Sequence, residues 1–237
     1  MLTAACMFSC IGHHGIGLHR AGIRTVSLCE NVPERQEVLR RMFPGVEVHD
    51  EAETYKPPRA DILIGGPPCK NTSIAAAVHG YRTNVSLWPT MFRHIMGFKW
   101  LVVEQPPGNK AWESQVSHDV TSAGWHIARF EFSASDLGAP YIRRRVFLVA
   151  CPSLPRLESA WVSVPKEIVR VKRSAADRGD WSADKLEFIP LGTRASGEFR
   201  SEKSHWRRKM IEALGDSNPP HMAEVIGRAI VKAERVQ

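Results

Sequence analysis

The run Ala60-Asp61-Ile62-Leu63-Ile64-Gly65-Gly66 stops abruptly at Pro67-Pro68-Cys69. A short run rich in branched residues and closed by Gly-Gly-Pro-Pro reads as a buried strand, because prolines cannot donate to a ladder and glycines turn the chain. The pattern recurs through the first 150 residues, where short apolar runs alternate with amphipathic stretches. That alternation predicts βα units stacked into a mostly parallel sheet, an α/β fold. Strands are expected at Ala4 to Phe8, Thr25 to Cys29, Ile62 to Gly65, Leu101 to Val103, His126 to Phe132 and Val146 to Ala150. Helices are expected at Gly17 to Ala21, Pro33 to Phe43, Trp88 to Met96, Ala111 to Ala123 and Met222 to Val231. Pro33 suits a first helical turn, where a missing amide hydrogen is harmless.

In an open α/β sheet, chemistry gathers at the carboxyl ends of the strands. Three reactive side-chain types lie at such edges. Cys69 follows one strand, Glu104 leaves the strand Trp100-Leu101-Val102-Val103, and Arg143 and Arg145 precede Val146-Phe147-Leu148-Val149-Ala150. A cysteine taken alone is more often a small buried hydrophobe than a nucleophile. A core, however, has no need of a thiol, a carboxylate and guanidinium groups at strand edges.

The 237 residues allow one sizeable core and a small appended lobe. The formal charge is +7, with much of the excess after residue 140, which favours a polyanion such as nucleic acid. Cysteines at 6, 10, 29, 69 and 151 are too dispersed for a disulfide framework, and Cys6 with Cys10 has no matching downstream pair for zinc. No metal site is expected. No stretch approaches the roughly 18 apolar residues of a membrane span, and the first residues lack a signal-peptide layout. The expectation is a soluble cytoplasmic protein.

From about 152 to 205 the pattern breaks, with scattered prolines, glycines and tryptophans and no clear period. The expected division is a catalytic domain at 1–151, a small irregular lobe at 152–209, and a segment at 210–237 that returns to the first domain. Trp161, Trp181, Phe188 and Trp206 read as the lobe's own core or as stacking surfaces.

The first strand is followed by Phe8-Ser9-Cys10-Ile11-Gly12-His13-His14-Gly15-Ile16-Gly17, which opens a helix. Glycines in such a turn let a ligand approach the backbone, and the helix start offers free amides to an anion. Glu30 ends the second strand, where an acid commonly bonds the ribose hydroxyls of an adenosine cofactor. A nicotinamide dinucleotide fits these features too, although the regular Gly-x-Gly-x-x-Gly is absent.

In order and approximate spacing, Phe8-Ser9-x-x-Gly12, Glu30, Asp50, Gly66-Pro67-Pro68-Cys69, Val103-Glu104, Pro140-x-x-Arg143-x-Arg145 and Gly215-x-Ser217-x-x-Pro220 resemble the DNA cytosine-5 methyltransferases. The resemblance covers residues 4 to 150 and 212 to 232. It implies a Rossmann-like S-adenosylmethionine-dependent fold, with Cys69 as nucleophile, Glu104 as acid at the ring nitrogen, and Arg143 and Arg145 fixing the base and the glutamate. It also implies that Phe8 stacks on adenine, Glu30 with neighbouring Asn31 holds the ribose, and Asp50 meets the adenine amino group. The loop Ser9, Ile11, Gly12 and His13, with Pro68, Leu87 and Ser217, would line the rest of the donor site. The implied substrate is double-stranded DNA with the target base flipped from the stack, acted on by a monomer.

The chain departs from the family at Lys70, where Gln is usual, and at Gln105, where Asn is usual. Tyr141 replaces Gln, Cys10 and His13 replace glycines, and Asp216 replaces Asn. Rival readings are an RNA cytosine-5 methyltransferase, a catalytically silent DNA-binding relative and a nicotinamide-dependent oxidoreductase. The recognised bases, and any restriction partner, are not written in the sequence.

Overall fold

The computed structural model describes residues 1–68, 86–181, 209–210 and 212–235; Cys69, Lys70, Phe188 and Trp206 lie outside the described residues. Strands β1 (Thr3–Met7), β2 (Arg24–Cys29), β3 (Glu47–His49), β4 (Ile62–Gly65), β5 (Trp100–Gln105), β6 (His126–Ser133) and β7 (Arg144–Cys151) form one seven-stranded sheet. The order is β3-β2-β1-β4-β5-β7-β6. The neighbours from β3 to β5 pair in parallel, whereas β7 runs antiparallel between β5 and β6. β3 was not expected. It is a short edge strand carrying Glu47 and His49, with no apolar run to announce it.

Period-two alternation sends side chains to two faces. Ala4, Cys6, Ile62, Ile64, Trp100, Val102, Phe147 and Val149 face one core; Ala5, Met7, Leu63, Leu101, Val103, Val146 and Leu148 face the other. The first face is covered by α1 (His13–Arg20), α2 (Pro33–Met42), α5 (Leu154–Asp177) and α6 (Pro220–Ala233), and the second by α3 (Trp88–Phe92) and α4 (Lys110–Ser122). Helix starts follow local chemistry. Pro33 occupies the first turn of α2 with Glu34 beside it, and the Asn109 side chain caps α4 by accepting from the Trp112 amide at 3.1 Å. α1 begins at His13, four residues before the expected start.

The irregularity expected from residue 152 does not hold through Asp177. That stretch is a 24-residue helix whose buried side chains Leu157, Ala160, Val164, Glu167, Val171 and Ala175 recur every three or four positions. Its prolines hide the period: Pro155 sits harmlessly in the first turn, and Pro165 lies inside the helix, where it forfeits one backbone bond. α5 packs against α6 in the main core, and the buried Glu167 carboxylate pairs with Lys232. Trp161 is accordingly a half-exposed ring on this helix, 5.1 Å from Phe130 of β6. No described helix is long and apolar enough to cross a membrane.

α1 and α6 cross in close contact at two glycines. A Cβ on Gly17 would stand 2.2 Å from the Pro220 carbonyl oxygen, and one on Gly227 would stand 2.9 Å from Ala21 Cβ. Gly17→Ala is therefore expected to destabilise the fold by at least about 1–3 kcal/mol in urea unfolding, the usual cost of overpacking. Gly97→Ala, which has open space and an ordinary φ, is expected to shift stability by less than about 0.5 kcal/mol.

Candidate active site

One end of the sheet gathers the expected residues. β1 ends at Met7, β2 at Cys29 and β4 at Gly65, and parallel pairing brings Met7 beside Gly65 and Gly65 beside Val103. β7 enters from the opposite direction, opposing Glu104 to Phe147 and Gln105 to Val146. Arg145 thus stands at the same edge as Glu104. A cleft of about 380 Å³ forms there, lined among others by Phe8, Glu30, Asn31, Pro68, Leu87, Glu104 and Arg145.

Glu104 is buried, and Arg145 Nε lies 2.6 Å from its Oε1. The approach is off the hydrogen-bond direction, so the contact is chiefly charge attraction. Burial pushes the Glu104 carboxyl above the usual range, and Arg145, a hydrogen bond from Asn218, and Arg143 oppose that push. A Cβ at position 66 would sit 3.0 Å from Glu104 Oε2, so a larger residue there would press on the carboxylate. The buried Gln105 amide donates to the Pro67 carbonyl and ties the proline loop to β5.

Arg145→Met would leave a buried carboxylate without its cation, at a typical cost of about 3–5 kcal/mol. The folded pKa of Glu104 lies above its unfolded value, so its contribution to stability is complete below the unfolded pKa and is lost as pH rises through the folded one. Removing the guanidinium raises the folded pKa further. Arg145→Met is therefore expected to lose more stability at pH 8 than at pH 5, measured as paired urea unfolding curves with wild type.

The amino-terminal loop is shaped by left-handed backbone. Phe8 has φ 54°, Cys10 φ 49° and Gly12 φ 85°. Non-glycine residues rarely adopt such angles, so Cys10 retains a glycine conformation. The Glu30 carboxylate accepts from the Cys10 amide at 2.8 Å and the Val32 amide at 3.0 Å, which fixes it at the cleft wall. Burial raises the Glu30 pKa, opposed by these backbone bonds and Arg35.

Not every expected residue faces this cleft. Ser9 is a buried stitch between β1 and β2; its hydroxyl donates to Cys6 O at 2.9 Å and accepts from the Cys29 amide at 3.2 Å. Gly12 caps α1, packed under Phe43. Asp50 is exposed, and the wall beyond β3 is made by Glu51 and Ala52. Ile11, His13, Ser217 and Arg143 line a second hollow of about 720 Å³ with Tyr141, Trp181 and His221. The Arg143 guanidinium donates to the Gly215 and Ser217 carbonyls, so it fastens the last motif to β7.

Two participants gave no sequence signal. His14 Nε2 lies 3.8 Å from Glu104 Oε2 and 3.1 Å from Asn218 Nδ2, placing an imidazole and an amide behind the carboxylate. Burial holds both His13 and His14 down at about 4, so both are neutral at pH 7. A neutral His13 then donates from Nδ1 to the Asn218 carbonyl at 2.6 Å. No cluster of residues suited to a metal ion occurs among the described residues.

The cleft sets an aromatic ring and apolar Pro68 and Leu87 beside an anchored carboxylate at Glu30, with a buried acid beyond. The chain is 30% identical over 163 residues to the Type II methyltransferase M2.BsuMI of Bacillus subtilis, covering 63% of this chain and 42% of that protein. It is 27% identical over 171 residues to the Type II methyltransferase M.AquIA of Picosynechococcus, covering 60% and 69% respectively. Two solved structures share the fold. A DNMT2 mutant of Spodoptera frugiperda has a TM-score of 0.55 at 14% identity, over 65% of this chain and 51% of that one. A putative DNA modification methyltransferase encoded within an Escherichia coli prophage has a TM-score of 0.52 at 22% identity, over 64% and 47%. The model of the C-5 cytosine-specific DNA methylases matches residues 2–174, and with that match over well more than half its length the chain belongs to that family.

Proposed function

We propose that the chain transfers a methyl group from S-adenosylmethionine to carbon 5 of cytosine in duplex DNA, through a covalent adduct with Cys69 on a flipped-out base. The observation that carries this reading is the Glu104–Arg145 pair at the mouth of the Pro67-Pro68 loop, in one cleft with Phe8 and Glu30.

Cytosine carbon 5 is a weak nucleophile. Addition of the Cys69 thiolate to carbon 6 turns the ring into an enamine-like nucleophile. Glu104, whose hold on a proton is strengthened by burial, donates to ring nitrogen 3 during that addition. Arg145 holds the glutamate and presents positive charge to the ring carbonyl. When bound, S-adenosylmethionine supplies an electrophilic methyl group. Phe8, Pro68 and Leu87 would receive its adenine and Glu30 its ribose. A base then takes the carbon 5 proton and Cys69 leaves. Carbon 6 cannot be reached inside the stack, so the base must be extruded, with the basic side chains after residue 140 holding phosphates.

The division at 1–151, 152–209 and 210–237 is part of this proposal, with one change. α5 packs with α6 in the main core, so the proposal assigns target reading to residues 178–208, and so short a segment suits a short recognition sequence. The chain spans 42% of M2.BsuMI.

The test is transfer of labelled methyl from S-adenosylmethionine to cytosine-rich duplex DNA, run beside transfer RNA. The expected product is 5-methylcytosine in DNA, with a stable adduct on 5-fluorocytosine DNA. Transfer to RNA alone, or none from a folded protein, overturns the reading.

A further inference from the structure

We propose that the Arg35–Asp216 ion pair recognises the amino-acid tail of the methyl donor, the guanidinium taking the α-carboxylate and the aspartate the α-ammonium. The inference rests on the reading of the cleft as the donor site and deepens it. Arg35 comes from the first turns of α2 and Asp216 from the helical stretch 212–216, and both line the cleft that holds Phe8 and Glu30. Arg35 Nη2 stands 2.5 Å from Asp216 Oδ2.

The two partners differ in how they meet solvent. The Arg35 side chain is 15% exposed and that of Asp216 62%. Arg35 Nε is buried and has no hydrogen-bond partner among the described residues. A guanidinium carries five N–H donors in a rigid fork that matches a carboxylate, and here few of them are used. Glu30 does not need this cation, because its oxygens accept from the Cys10 and Val32 amides.

The donor has an adenosine end and a zwitterionic end. Aromatic, apolar and ribose-binding groups serve the first. The second needs adjacent opposite charges, since a zwitterion in a cleft without partners would lose its hydration uncompensated. Within this cleft Arg35 and Asp216 form an adjacent pair of opposite charges whose aspartate is largely open to solvent. The Glu104–Arg145 pair, by contrast, is buried on both sides. The alternative is that the pair only staples α2 to the 212–216 stretch.

Two ligands separate these roles: S-adenosylhomocysteine carries the amino-acid tail and 5′-methylthioadenosine lacks it. Calorimetry on wild type, Arg35→Gln and Asp216→Asn is expected to show tighter wild-type binding of S-adenosylhomocysteine than of 5′-methylthioadenosine. Arg35→Gln should weaken the former by about 10- to 100-fold, the range for a hydrogen bond to a charged group. Asp216→Asn should weaken it less, and both variants should bind 5′-methylthioadenosine within about twofold of wild type. That unchanged binding also shows that the variants are folded. Equal losses for both ligands, or no loss for S-adenosylhomocysteine, overturn the inference and leave the donor site standing. Failure of the wild type to bind either nucleoside overturns the donor-site reading and the inference with it.

Discussion

Cys69→Ala is expected to lower methyl transfer to duplex DNA by at least about 10⁴-fold, because the covalent route to an activated ring disappears with the thiol. Cys69→Ser should be as inactive, since a hydroxyl without an adjacent base is far less nucleophilic than a thiolate. The loop that delivers this residue is fixed up to its last described member. Pro67 is held by Gln105, and Pro68 lines the cleft with Glu104. The loss should therefore be chemical, with little change in fold. Single-turnover transfer with matched circular dichroism spectra checks it, and 5-fluorocytosine DNA should trap the wild type but neither variant. Transfer that survives in Cys69→Ala would sink the mechanism.

Glu104→Gln is expected to cost about 10²- to 10⁴-fold in the same assay, the usual contribution of a positioned acid. Glutamine keeps the shape and can still donate a hydrogen bond, but it cannot transfer a proton. The pH profile gives a second readout. If the protonated acid is the working form, activity is present below the folded pKa of Glu104 and falls as pH rises through it. Burial places that pKa above the ordinary carboxylate range, so the wild type should show an alkaline limb that the Gln variant lacks. Among the described residues, the charged and titratable groups around the carboxylate are Arg145, Arg143 and His14. His14 is neutral through this range, so it does not supply the limb. An unchanged profile in Glu104→Gln would remove Glu104 from the proton transfer.

Much of this arrangement was legible before any coordinates. β1, β4, β5 and β7 are apolar runs because both sheet faces are covered there, and a strand buried on two sides has nowhere to put polar residues, whereas the edge strand β6 alternates. Glu104 and Arg145 stood out because charged residues abut such runs. What stayed hidden has physical causes. β3 pairs along only one edge and needs no apolar run. The period of α5 was masked by Pro155 and Pro165, although a proline within one long helix costs a single bond that burial of six side chains outweighs. His14 and Asn218 meet across 204 positions in the chain, a contact set by the crossing of α1 and α6 that no local pattern encodes. Arg143 was expected at the base, and its bonds to the Gly215 and Ser217 carbonyls could not be foreseen because these partners come from a distant segment.

That crossing also sets an order of assembly. Met222, Val225, Ile226 and Ile230 of α6 cover the same sheet face as Leu18 and Trp100, and Trp100 Nε1 donates to Glu234 at 2.9 Å. On the ribosome, every strand of the sheet is made before the helix that seals it. Until residues 218–233 emerge, the glycine face of α1 has no partner and the imidazole behind Glu104 has no amide. A nascent chain therefore holds that sheet face incompletely covered, and the catalytic edge is completed only once α6, which follows all seven strands, has been made.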